Sequence, residues 1–74
     1  MKEYVFSLSN GYAVGNDFTA TLQDAINICL KTSNGMNTMN WLHAKVGGKW
    51  INVGYSVKIG FKEWDFYQYE NINL

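Results

Sequence analysis

Few side chains in this 74-residue chain could do covalent chemistry, and none sits at a catalytic spacing. His43 is the sole imidazole and Cys29 the sole thiol. No Asp or Glu lies between Asp24 and Glu63, so His43 has no sequence-near acid to orient it as a general base. A lone His beside a tryptophan more often packs or hydrogen-bonds; a pocket holding it with a carboxylate would restore a catalytic reading. Glu63 and Asp65 flank a turn and read as solvated acids. The stretch VGGK, residues 46 to 49, lacks the glycine spacing and the following Ser or Thr of a phosphate loop. One Cys and one His cannot complete a four-ligand zinc site or an intrachain disulfide. The expectation is therefore a protein without catalysis, cofactor or metal, whose function is binding.

What remains chemically distinctive is aromatic. NWLHAKVGGKWINVGY, residues 40 to 55, holds two of the three tryptophans and the histidine around a Gly-Gly pair. Hydrophobic residues make up 47% of the chain and aromatics 16%, too apolar for disorder, so one small domain is expected. Formal net charge is zero, although Lys31, Lys45, Lys49, Lys58 and Lys62 fall in the acid-free interval. Arginine is absent, so the bidentate fork that normally grips phosphate or guanine is missing. Nine Asn and no Pro suggest an AT-rich genome, that of a low-GC bacterium or its phage. No long apolar run or secretory leader is apparent, which leaves the cytoplasm as the expected compartment and no membrane as partner.

The elements that must position the aromatics follow from periodicity. Residues 2 to 8 alternate Tyr4, Phe6 and Leu8 against Glu3, Val5 and Ser7, a half-buried strand. Asn10-Gly11 and Gly15-Asn16 mark turns around Tyr12 to Val14, which is either a short strand or a loop. A helix is expected from Thr21, capped by its hydroxyl with Asp24 in the first turn. Leu22, Ala25, Ile26, Cys29 and Leu30 form its apolar stripe, and Asn34-Gly35 should end it near Ser33. Cys29 within that stripe reads as a buried, inert thiol. Beyond the helix the period becomes 2: Thr38 to Val46, Lys49 to about Lys58, and Trp64 to about Glu70 read as strands. The expected fold is α+β, an antiparallel four- to five-stranded sheet with a single helix packed on one face.

A two-residue Gly47-Gly48 loop fixes the hairpin register. Val46 then opposes Lys49, Ala44 opposes Ile51 and Leu42 opposes Val53, an apolar face continuing through Tyr55, Val57 and Ile59 toward the helix. The other face carries Lys45 beside Trp50, His43 beside Asn52, and Trp41 over Gly54. With the last hairpin turning at Lys62-Glu63, Lys58 lies beside Tyr67 and Ser56 beside Tyr69 on this same face. The expected binding surface is Trp41, His43, Lys45, Trp50, Asn52, Lys58, Tyr67 and Tyr69. A bulge at Gly54 would turn every residue downstream to the opposite face.

Three uses of that surface stand open. Its rings could stack a base of a nucleotide, cyclic nucleotide or single strand, at about 1–3 kcal/mol per base. They could anchor a protein partner, or pack on a second copy of the chain as a homo-oligomer.

The order of elements, a first strand, a loop, one capped helix of the TLQDAINICL type and a glycine-turn meander rich in Trp and Tyr, resembles small phage-encoded anti-defence proteins. The similarity is greatest to compact anti-CRISPR inhibitors with a five-strand sheet and one helix. ATLQDAINIC followed by KVGGKWINV carries it locally. The resemblance implies stoichiometric inhibition of a bacterial host protein or immune complex, and it assigns no individual residue.

Overall fold

The computed structural model describes residues 2–70, 72 and 74. The strands are β1 (Glu3–Ser9), β2 (Phe18–Thr21), β3 (Trp41–Val46), β4 (Lys49–Gly60) and β5 (Glu63–Gln68), with α1 (Leu22–Met36) between β2 and β3. They form one antiparallel sheet of order β2-β1-β3-β4-β5, an α+β fold. Because β1 lies between β2 and β3, the helix is the crossover that carries the chain across β1, and it covers a single face of the sheet.

Local chemistry accounts for the helix. Thr21 is extended, at φ −72° and ψ 162°, and its Oγ1 accepts the Asp24 N–H at 3.2 Å. Small residues one turn apart, Ala25, Cys29 and Ser33, are the ones wholly buried, which lets the helix approach the sheet closely. Phe6, Leu8, Ala20, Leu42, Ala44 and Val53 meet them from the sheet. The helix runs three residues past the expected stop at Ser33. Gly35 is helical, and Asn37 takes the left-handed cap instead, at φ 51°. There the Asn37 N–H reaches the Asn34 carbonyl and the Thr38 N–H the Ser33 carbonyl, satisfying two otherwise orphaned acceptors.

Two elements that the sequence leaves open take definite form. Strand β2, Phe18–Thr21, is an additional edge that extended residues ahead of the helix supply, stacking Phe18 on Phe6. Tyr12 to Val14 is loop, joined to β1 by one bridge between Ser9 and Val14.

The Gly47-Gly48 turn has both residues at positive φ, 56° and 77°, as the hairpin requires, and Val46, Lys45, Ala44 and His43 pair with Lys49, Trp50, Ile51 and Asn52. The register then shifts. Val53 is an extra residue, Leu42 faces Gly54, and Trp41 faces Tyr55. The expected Leu42–Val53 and Trp41–Gly54 pairs therefore do not form. Phe66, not Trp41, covers Gly54. A methyl on Gly54 would collide with the Tyr67 carbonyl oxygen and come within 2.9 Å of the Phe66 ring.

The bulge turns Ser56 inward, where a buried polar cluster receives it. Ser56 Oγ lies 2.7 Å from Ser33 Oγ on the helix and accepts the Asn40 N–H at 2.9 Å. The Asn40 amide nitrogen donates to Ser33 Oγ and to the Thr38 carbonyl, each at 3.1 Å, and Asn40 Oδ1 accepts from Asn10 Nδ2 at 3.1 Å. Cys29 Sγ, 3.7 Å from the Asn40 carbonyl, borders this cluster, and burial pushes its thiol pKa up to about 11.

Gly54→Ala should cost about 3 kcal/mol, because overpacking here meets a backbone carbonyl. Asn40→Ala should cost about 2–3 kcal/mol by stranding buried partners, a large share of the roughly 4–11 kcal/mol a domain of this length has. Urea denaturation of each variant checks both; losses under about 0.5 kcal/mol, as at an ordinary surface site, would contradict this packing.

Candidate binding face

The helix leaves the opposite sheet face uncovered, and cross-strand pairing arranges it in rows. Val5, Lys45 and Trp50 make one row; Ser7, His43 and Asn52 the next; Ser9, Trp41, Tyr55 and Tyr67 the third. Val57 and Asp65 follow. Trp41, His43, Lys45, Trp50 and Asn52 thus occupy the side away from the helix, as the turn requires. Lys45 Nζ stands 5.9 Å from the centre of the Trp50 ring, a cation–π approach on an exposed pair.

Lys58 does not belong to this face. A second register shift between Lys58 and Gly60, with the turn at Phe61-Lys62, sets Lys58 opposite Trp64 and not Tyr67. Its ammonium donates to Asn37 Oδ1 at 2.7 Å, beside the carbonyl end of the helix dipole. Ser56, expected beside Tyr69, is buried opposite Phe66. Tyr55 and Val57, expected in the core, face outward, and Ile59 is exposed. Tyr67 and Tyr69 do lie on the outer face, beside Tyr55 instead of Lys58 and Ser56. Ring centres are 5.3 Å apart for Tyr55–Tyr67 and 5.8 Å for both Tyr55–Tyr69 and Tyr67–Tyr69.

Sequence reasoning missed the neighbours that β1 and its loop bring to His43. Asn10 Oδ1 accepts the N–H groups of Tyr12 and Ala13, and the Gly15 N–H returns to the Leu8 carbonyl, folding residues 10 to 17 back beside the sheet. Ser7 Oγ donates to the Gly15 carbonyl at 3.2 Å. Between loop and sheet opens a cavity of about 320 Å³ lined by Ser7, Ser9, Val14, Asp17, His43 and Trp50. Ser9 Oγ and His43 Nε2, both in its lining, share a 2.7 Å hydrogen bond. The alternation of Ser7 and Ser9 with Phe6 and Leu8 was a signal that these hydroxyls leave the core. Their meeting with His43 needed the β1–β3 pairing.

Burial lowers the His43 pKa from its ordinary value of 6.5, so the ring is neutral at pH 7. Among the described residues, no group of three or more His, Cys, Asp or Glu side chains is placed to hold a metal ion, and no helix is long and apolar enough to cross a membrane. No family model, curated protein or solved structure matches the chain.

A depressed His43 pKa carries a definite sign. The unfolded chain binds the proton more readily, so this contribution to stability is intact above pH 6.5 and is lost as pH falls through the folded value. An NMR titration of the imidazole should give a midpoint below 6.5, and His43→Gln should flatten the fall in stability on acidification. A midpoint at or above 6.5 would contradict the burial.

Proposed function

We propose that this chain is a non-catalytic protein that binds a protein partner through its helix-free sheet face, acting as a stoichiometric inhibitor. The observation that carries the reading is the continuous aromatic row Trp41–Tyr55–Tyr67, with Trp50 and Tyr67 left 44% and 48% exposed. Large exposed rings interspersed with Ser, Asn and His are the composition of interface anchors, and apolar patches on a small domain mark interaction sites. The resemblance in element order to anti-CRISPR inhibitors makes a bacterial defence complex the first partner to assay and the host cytoplasm the setting.

Two competing readings lose ground to specific contacts. Stacking of a nucleotide or single strand needs cations to meet phosphate, yet Lys58 is engaged at the helix end and Lys45 alone among the expected lysines accompanies the rings. Acyl transfer would suit a serine hydrogen-bonded to a neutral imidazole in a pocket that also holds Asp17. Three amides of the loop, those of Tyr12, Ala13 and Gly15, are bound to Asn10 Oδ1 and the Leu8 carbonyl and are not free for a developing oxyanion. The Ser9–His43 bond is then a cross-strand polar contact that orients the ring.

Trp41→Ala with Trp50→Ala should weaken capture of the partner complex at least about 30-fold, the loss of one interface hot spot, while circular dichroism stays unchanged. Unchanged affinity would remove this face from the site. A dimer in native mass spectrometry that dissociates in the double variant would assign the face to self-association.

A further inference from the structure

The cavity beside His43 has a chemistry of its own. At about 320 Å³ it stands at the lower end of the roughly 300–1,000 Å³ range of small-molecule pockets, room enough for one long side chain. Asp17 is the sole acid in its lining, and it is exposed. Trp50 also lines it, and Lys45, which is outside the lining, already stands 5.9 Å from the centre of that ring, so the indole is open to a cation. Ser9 Oγ adds a hydroxyl to the lining. A carboxylate, an indole and a hydroxyl lining one small cavity complement a planar cation with several N–H donors. The chain has no arginine of its own to fill it.

We propose that the Ser9–His43–Trp50–Asp17 pocket receives an arginine side chain of the partner protein, its guanidinium paired to Asp17 and stacked on Trp50. The inference rests on the docking reading and adds the partner's anchor to it. Arginine fits better than lysine because the flat guanidinium covers an indole face while presenting a fork to the carboxylate. Lys45 stands on a flexible stem and can leave the ring as the stronger stacking cation arrives.

The probe is N-acetyl-arginine methyl ester, titrated into the full chain while the Trp50 indole N–H and the Asp17 and His43 amides are followed by NMR. The neutral isostere N-acetyl-citrulline methyl ester is the control. Saturable shifts confined to these residues are expected with the arginine ester, with affinity about tenfold weaker for citrulline and for Asp17→Asn, the loss of one charge-assisted contact. Equal affinities for the two esters, shifts centred elsewhere, or no shift would overturn the proposal; the ester comparison holds even if Asp17→Asn misfolds. Failure here with partner binding still abolished by the Trp41/Trp50 double variant would discard the arginine anchor alone. Partner binding that survives the double variant would discard the docking face itself.

Discussion

Asn40 is 2% exposed, and its side chain sits where the helix, two strands and a loop meet. An amide buried so deeply must satisfy both donors and its acceptor from fixed neighbours, because the cost of leaving one unpaired is about 1–3 kcal/mol. Ser33 and Thr38 take the two donors, and Asn10 supplies the acceptor's partner. The Asn40 backbone binds Ser56 from both sides, its N–H to the serine hydroxyl and its carbonyl to the serine N–H. That last pair is possible only because Val53 is an extra residue in β4, which swings Ser56 under the helix. The polar cluster and the bulge are thus one constraint.

Its effects reach the opposite face. By turning Ser56 in, the bulge turns Tyr55 out, and the outer surface gains a cluster of three tyrosines in line with Trp41. Asn10 extends the same constraint into the loop. Its Nδ2 is tied to Asn40 while its Oδ1 caps the Tyr12 and Ala13 amides, so the buried cluster also steadies the wall of the His43 cavity. A core rich in small residues, Ala25, Cys29 and Ser33 on the helix against Ala20 and Ala44 on the sheet, leaves large aromatics for the surface.

The residues flanking Gly47-Gly48 were legible from the sequence because two glycines of positive φ admit one register, and period-2 alternation then assigns each side chain to a face. Thr21 and Asp24 likewise announced the helix start. What escaped was non-local or backbone-level. Gly35 looked like the cap, but the buried Ser33 and the Asn37 cap carry the helix one more turn. The split arrangement of β2 and β3 around β1 depends on a crossover, and no short-range pattern encodes it. Gly54 hinted at a bulge without revealing that Val53 would be the extra residue. Parity carried past that point misplaced Lys58, Ser56, Tyr55 and Val57, whereas Tyr67 and Tyr69 still face outward because the second shift near Ile59 and the earlier turn alter β5's register as well.

The β4 bulge couples the Asn40–Ser33–Ser56 cluster to the aromatic face. Nuclear Overhauser contacts across β3 and β4 report on this coupling. The Trp41–Tyr55 and Leu42–Gly54 pairing should give cross-peaks between facing backbone protons, together with contacts from the Asn40 side-chain amide to Ser33 and Ser56. Cross-peaks that instead pair Leu42 with Val53 and Trp41 with Gly54, with the Asn40 amide exchanging freely with water, would show an unbroken register and contradict it.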